Sequence, residues 1–553
     1  MKRLLICFAV SLLGLQMAVA QVAKQVEVEK NYTPSVNAAQ KLAIIPDMTD
    51  TVMMRPEVDY AFMPRSYETS LLTPNFKPAT IAYWDYMRSP LLYVKAASGV
   101  PLNSEADVYV STYRKEKGYA MAYVNHKGDY QSRYLLDGVT KVRDNTSEMS
   151  NRVGARAGLF VGRRMLEVDV YADEQLRHRY PTTGERILFG DLDGKLRFGD
   201  DFSNMERWNF NVEFGGGLYA NAAKLESGQR LGLANMAAQA KVGKKQFKVQ
   251  FGYDGTFGRN ALEEYKNNIF NAGVRFGLGR ERLDFVLGAD YYFDKVSNLT
   301  DSPHKFSPYM RMMWKNSSEK FVPYIEVNGD MKHNDIAAMT YANPYVVVSL
   351  DALEKLVSMP NEMTYNARAG FKGNLGRGIF AYGISAEFTS AGDHIYWCSQ
   401  GADYTFVTAY QHSLRLNGNM VFRPSGWFMA QIEAGAYVWE NYDGFYSNRP
   451  NFDIDVELRY TGRRFSAGVE MECDSAIKWM TLVERETEEG VVPAYGYIQT
   501  HPTIMVNLDA QWRINERWAV FAQGRNLTGG KLYDWLHYYR HSPQCVVGVK
   551  FGF

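Results

Sequence analysis

Nine histidines and the three cysteines beyond residue 20, Cys398, Cys473 and Cys545, are the side chains best suited to ligate a metal or act as nucleophiles. Eight of the histidines, His126, His178, His304, His333, His394, His501, His537 and His541, fall at predicted outer strand ends or in outer loops; His412 alone is mid-strand. A rim of imidazoles could collect a metal or haem, because neutral imidazole is a common ligand. The plainer account is that a lipid-facing strand excludes histidine and the loops receive it. His394 and Cys398 share a strand face by their even spacing, but two ligands do not complete a site. No Ser, Cys or His constellation has the spacing of a nucleophile site. No catalytic residue, cofactor or metal is expected, and the chain does not read as an enzyme.

A second set of polar residues is spaced regularly. Leu166, Val168 and Val170 alternate with Glu167, Asp169 and Tyr171, and Phe452 to Tyr460 alternates with Asp453, Asp455, Glu457 and Arg459. Period two is the signature of a strand with one apolar and one polar face. If the polar faces line a wet lumen, the candidate lumen-facing residues are Glu167, Asp169, Glu433, Asp453, Asp455, Glu457, Arg459, Asp509, Arg513 and Lys550, with Lys248 and Glu387 beside them. Fixed charges on such a wall select polar solutes by sign and size. They could equally pair with one another, or with residues 21–90 folded among them.

Strands must position these charges, and alternation alone leaves open which face is inside. The final stretch, Gln544 to Phe553, sets Val547, Val549, Phe551 and Phe553 against Gly548, Lys550 and Gly552. By itself this fits the last strand of a soluble sandwich or the closing stave of a membrane barrel. Scale favours the barrel: about 460 residues after Pro90 run as strand and turn without a linker, where soluble β chains divide into smaller domains. The expected fold is all-β, a transmembrane antiparallel barrel of about 22 strands over 91–553, with fewer possible. The predicted strands include 378–397, 403–423, 465–485, 494–514, 517–533 and 543–553. An even count leaves both barrel ends on the periplasmic side. Tight turns such as Gly162-Arg163-Arg164, Gly376-Arg377-Gly378 and Gly462-Arg463-Arg464 fall on one side, and long connections 127–149, 334–363 and 486–493 on the other. Loop 334–363 has apolar residues at helical spacing from Tyr345 to Val357 and could cap the mouth, fold into it, or pack on neighbouring loops.

The address agrees with the barrel. Met1-Lys2-Arg3, an apolar run from Leu4 to Leu13, and Ala18-Val19-Ala20 form a signal peptide over residues 1–20. Without Lys2 and Arg3 the charges nearly cancel, and no nucleic-acid partner is expected. Residues 21–90 hold seven of the 19 prolines, which suits an extended periplasmic or lumen-filling segment. Val26-Glu27-Val28 could dock as a strand on a partner's sheet edge, or be a local strand. Aromatics at 14%, with 37 tyrosines, suit interfacial girdles.

Gly524-Arg525-Asn526-Leu527-Thr528-Gly529-Gly530-Lys531-Leu532-Tyr533-Asp534-Trp535 and the last strand resemble the closing hairpin of TonB-dependent receptors, whose barrels also have 22 strands. Ala342-Asn343-Pro344-Tyr345 with Tyr365 to Phe371, and the stretch from Val26 to Pro34, look like Bacteroidetes outer-membrane proteins of this receptor-like type. The resemblance implies transport or binding of a polar solute in the cell outer membrane, and an assembly signal at Phe551 and Phe553. The expected partners are outer-membrane lipid, the barrel-assembly machinery and either TonB or a periplasmic or surface lipoprotein. The segment 21–90 is shorter than the plug domain of that family, which puts energised uptake in doubt. The alternative is a non-transporting platform or assembly partner for surface or periplasmic proteins.

Overall fold

The structure is a computed structural model that describes residues 91–553, apart from 113–116, 183, 201–207, 222–226, 243–244, 261–262, 280–281, 298, 300–302, 316–318, 347–357, 441–444, 488–489 and 541. The expected features within 1–90, His541 and the apolar run of 347–357 lie outside the described residues.

Twenty-two antiparallel strands close into one barrel, each paired to its neighbour in sequence around the ring. The first, Leu92–Val100, pairs with Asn103–Ser111 on one side and with the last, Gln544–Gly552, on the other. Val94 faces Phe551 and Lys95 faces Lys550 across that closing seam. Leu92 and Phe553 exchange backbone hydrogen bonds of 3.1 and 2.9 Å. Closure leaves no sheet edge, the condition for strands to sit in hydrocarbon.

The residues that choose the strands also choose their faces. Large apolar side chains such as Val168, Val170, Leu192, Leu196 and Phe214 are exposed on one face, and Val547 of the last strand is 63% exposed. The opposite face carries paired charges and is reached from within the ring. Tyr341, on the helix Ile336–Ala342 between strands Val322–Lys332 and Glu362–Leu375, donates its hydroxyl to Asp191 and reaches Asp173. Those aspartates belong to strands Arg186–Gly199 and Arg164–His178. A loop from a distant part of the ring can reach them only through the lumen, so the polar face points inward.

Short turns hold one end. Val161 and Arg164 pair across a two-residue turn that begins with Gly162, whose φ of 64° costs glycine nothing. The other end carries long loops and six further strands in hairpins: Arg133–Tyr134 with Lys141–Val142, Lys478–Thr487 with Gly490–Gln499, and Tyr533–Trp535 with Tyr538–Tyr539.

Three predicted strands end differently in the structure. The predicted strands 465–485 and 494–514 each join a wall strand to part of an outer hairpin. The wall holds only Phe465–Asp474 and Thr503–Arg513, paired directly, and the hairpin Lys478–Thr487/Gly490–Gln499 rises above them. Its Trp479, Met480 and Thr481 are buried in succession by the surrounding outer loops. The predicted strand 517–533 ends instead at Arg525. Asn526 takes a left-handed φ of 49° and turns the chain, with Gly529 N donating to its carbonyl at 2.9 Å. The described parts of connection 334–363, residues 334–346 and 358–363, fold into the mouth, where the helix Ile336–Ala342 is capped by Asp335, which accepts from Ala338 N at 2.7 Å.

Candidate functional site: a loop core above a charged wall

The largest buried core of the described residues lies in the outer loops. Tyr180, Tyr219, Tyr265, Ile336, Tyr345, Met359, Tyr404, Trp479, Leu536 and Tyr538 belong to one cluster. They come from strand ends and loops spread around the ring, so the cluster spans the opening.

The connection 526–543 is its centre. Leu536 is 0% exposed. Tyr538 stacks face to face on Tyr345 and meets Tyr180 edge-on at 5.4 Å. Trp535 lies edge-on to Trp397 at 5.5 Å and to Tyr404 at 5.3 Å. Three of the tyrosines bond their hydroxyls inside the cluster, whereas Trp479 Nε1 is buried without a hydrogen-bond partner. Tyr538 donates its hydroxyl to Ala402 O at 2.8 Å, Tyr404 to Leu536 O at 3.0 Å and Tyr180 to His537 O at 3.2 Å. Tyr180, Tyr404 and Tyr538 suit this position because each buries a large apolar body and keeps one directional hydrogen bond.

Two polar anchors hold the lid. Arg133, 0% exposed, donates to Tyr539 O at 2.9 Å and lies 3.4 Å from both Asp129 and Glu148, tying loop 130–147 to the closing connection. Burial and these two carboxylates act oppositely on the guanidinium, and the carboxylates prevail, holding its pKa above the usual value. On the other side Asn267, Asn334 and Asn361 form a buried amide knot. Asn361 Nδ2 donates to Asn267 Oδ1 at 2.7 Å, and Asn267 Nδ2 to Asn334 O at 2.9 Å. Thr256 adds a 2.7 Å bond to Asp335, so loop 333–361 is pinned to the inner wall.

Below the lid the wall is charged. Asp169 takes a hydrogen bond from Arg156 at 2.5 Å, and Glu167 accepts from the Tyr119 hydroxyl. Arg368 holds Glu387 at 2.6 Å, and Glu105 lies between Lys95 at 2.9 Å and Arg525 at 2.5 Å. Lys248 shares this face, since it sits opposite Arg275, which donates to Asp290 at 2.9 Å. Lys550 donates to Gln511 at 2.6 Å and lies over the Phe521 ring.

Elsewhere the charge is unbalanced. On strands Phe428–Trp439, Phe452–Thr461 and Phe465–Asp474, Glu433 faces Asp455, which faces Glu472; Asp453 faces Asp474, and Glu457 faces Glu470. Residues opposite in an antiparallel pair share a face and like charges there repel. Arg459 offsets part of this, 2.7 Å from Glu457 and 3.7 Å from Asp509. Arg513 stands apart, at the strand end against the 462–464 turn, donating to Arg463 O at 3.4 Å. Phe551 packs on Trp518 at 4.6 Å, and Arg517 lies over Phe553.

The histidines form no shared site. His126 bonds Ser104 and Asn151, His333 meets Asp254 at 3.0 Å, and His394 meets Glu362 at 2.9 Å. His412 stacks on Phe388. Among the described residues no group of three His, Cys, Asp or Glu side chains is arranged to hold a metal ion. His394 and Cys398 stay on their strand with separate surroundings; Cys398 is buried against Met480. Apart from those of connection 334–363, for which a place at the mouth was one expectation, the lid residues escaped the sequence reading. The run Tyr533 to Tyr539, five aromatics or leucines among seven residues of a presumed surface turn, was the available sign.

No protein-family model matches the chain, and no curated protein sequence matches it. Solved structures do. The siderophore receptor PirA from Acinetobacter baumannii aligns over 84% of this chain and 80% of its own at 10% identity, with a TM-score of 0.62. The FrpB iron transporter from Neisseria meningitidis aligns over 85% and 82% at 11% identity, with a TM-score of 0.62. The copper transporter OprC aligns over 84% and 82% at 10% identity, with a TM-score of 0.60. At such identities the likeness is one of fold. The molecule is a large closed 22-strand barrel with the fold of the barrels in these solved structures.

Proposed function

We propose that this protein is an outer-membrane barrel of TonB-dependent receptor type that takes in a polar solute through a lumen closed from outside by its own loops. The observation that carries this reading is the pairing of a charged inner wall with a lid built from loops. The wall offers polar binding groups, and the lid decides access to them. The matched structures bear the names of receptors and transporters, which supports the same reading by analogy of fold.

The acidic stripe of Glu433, Asp453, Asp455 and Glu457, with Glu470, Glu472 and Asp474 beside it, biases such a lumen toward cationic over anionic solutes. Glu167, Asp169, Arg459, Asp509 and Lys550 complete the wall a solute would meet; Arg513 serves at its periplasmic end. The protein carries out no chemistry on its solute. In this reading residues 1–20 direct export, residues 21–90 lie in the lumen or the periplasm, and TonB or a lipoprotein engages the inner side. The loop core across the mouth also favours a second reading, a platform that assembles with surface or periplasmic proteins and passes nothing.

Planar-bilayer recording of the purified barrel, with and without residues 21–90, separates the two. Transport predicts cation-selective conductance in at least the shortened form once Leu536→Asp has loosened the loop core. Silence in both forms even then, with a stoichiometric protein partner recovered on purification, would establish the platform instead.

A further inference from the structure

One joint in the wall differs from all the others. Strands His304–Trp314 and Val322–Lys332 pair only from Met310↔Val327 to Met313↔Tyr324, four residue pairs and the shortest ladder in the ring. Each strand is paired along its full length on its far side. The unpaired stretch is therefore confined to the facing edges, residues 304–309 and 328–332. Pro308 lies in it and has no N–H to offer a ladder.

The stretch lies within the membrane. Phe306 is 65% exposed on the outward face, eight residues from the exposed Trp314 near the short-turn end. That is about 27 Å of strand. Tilt reduces it to a height of about 20 Å, inside an apolar band about 25 Å tall. A wall in hydrocarbon needs its backbone groups satisfied. Here a side chain substitutes for the ladder: Tyr365 crosses over Gly329, which it faces in the register, and donates its hydroxyl to Phe306 O at 3.0 Å. One rotamer change of Tyr365 releases that bond, whereas parting any other joint breaks a ladder.

The two sides of the joint differ in chemistry. Inside stand Ser307, Asp330 in reach of the Tyr292 hydroxyl at 3.4 Å, and Lys305 bound to Asp294 at 3.1 Å. Outside, along the same strands toward the short turns, an apolar trough of about 470 Å³ is lined by Met312, Trp314, Ile325, Phe371, Ile384 and Leu416. Its floor is low because Ala369 and Ala386 face each other between Ile325 and Leu416. That volume falls in the range of small-molecule pockets, roughly 300–1,000 Å³.

We propose that this joint is a lateral portal between lumen and outer leaflet, passing an amphiphile with a polar head and a long acyl chain. The head enters between residues 304–309 and 328–332, meeting Ser307, Lys305 and Asp330. The chain stays in the lipid and lies down the trough, the orientation an outer-leaflet lipid already has. With the mouth closed by the loop core, this joint gives the lumen a second approach, one that leaves the lid in place.

The test uses the full chain in phosphatidylethanolamine–phosphatidylglycerol vesicles, with Cys398, Cys473 and Cys545 replaced by alanine. A phospholipid carrying a maleimide on its headgroup is the probe. Ser307→Cys or Asp330→Cys is compared with an Ala519→Cys control, which is buried and points inward from a strand paired on both sides. Retention of the heat-modifiable form verifies the fold of each variant, and either seam cysteine suffices if the other fails to fold. The proposal expects labelling at the seam at least tenfold faster than in the control, and a further several-fold rise when Tyr365→Phe removes the bridging hydroxyl. Equal rates at the seam and in the control, or a seam rate indifferent to Tyr365→Phe, would overturn it.

Discussion

A chain with both Phe551→Asp and Phe553→Asp fails to reach the outer membrane as a heat-modifiable barrel. Phe551 sits on the lipid side, opposite Val94 on the first strand and against Trp518 on the preceding one. Phe553 completes the last rung with Leu92, in both directions. Two carboxylates there must either ionise against hydrocarbon or pull the strand out of register. Loss of register opens the ring and leaves two edges of unpaired backbone groups in lipid, each costing several kcal/mol. The leucine pair Phe551→Leu and Phe553→Leu keeps the apolar face and should assemble. Gel mobility of outer-membrane fractions with and without boiling reads the outcome. A normal heat-modifiable band from the aspartate variant would refute the role given to this strand.

The second large effect is expected at Arg133→Met. Methionine is apolar and fills much of the same volume, so the loss is electrostatic. Asp129 and Glu148 lose their buried cation, and Tyr539 O loses its donor. Removing one partner from a buried ion pair costs about 3–5 kcal/mol. That cost falls on the attachment of connection 526–543, which Arg133 joins to the outer ends of wall strands Gly118–Asp129 and Glu148–Val161. External protease on intact cells should then cleave within 526–543 while the barrel stays heat-modifiable. Adding Asp129→Asn and Glu148→Gln removes the stranded charges and should restore part of the resistance, as coupled sites do. A connection as resistant as wild type would mean that the aromatic contacts alone hold the lid.

The barrel was legible in the sequence because period two is written along each strand. Val168 and Val170 against Glu167 and Asp169 reveal a strand with no knowledge of its neighbours. Summed along the chain, such runs yield 22 strands, and the structure closes 22. The sense of the faces was not written there; it required Tyr341 meeting Asp191 across the lumen. The lid was hidden for a different reason. Arg133 and Tyr539 are 406 residues apart, and Tyr180, Tyr345, Tyr404 and Leu536 share a core only once the ring has closed. A core assembled from many loops leaves no periodicity in any one of them. The outer hairpin 478–499 misled for the opposite reason, carrying a strand's alternation with no place in the wall. The short ladder left one local trace, Pro308 inside an otherwise regular strand.

The central claim is that a lid of loops, with Leu536 at its centre, stands between the outside and a charged lumen. Leu536→Asp tests it most directly, because a carboxylate at a fully enclosed apolar position cannot stay there and remain ionised. Single-channel recording in planar bilayers, with the solute side facing the outer loops, compares this variant with the unaltered chain. The account predicts a closed unaltered barrel and a Leu536→Asp barrel that opens to a cation-selective current. A variant as silent as the unaltered chain, with connection 526–543 shown by protease to have come loose, would contradict it.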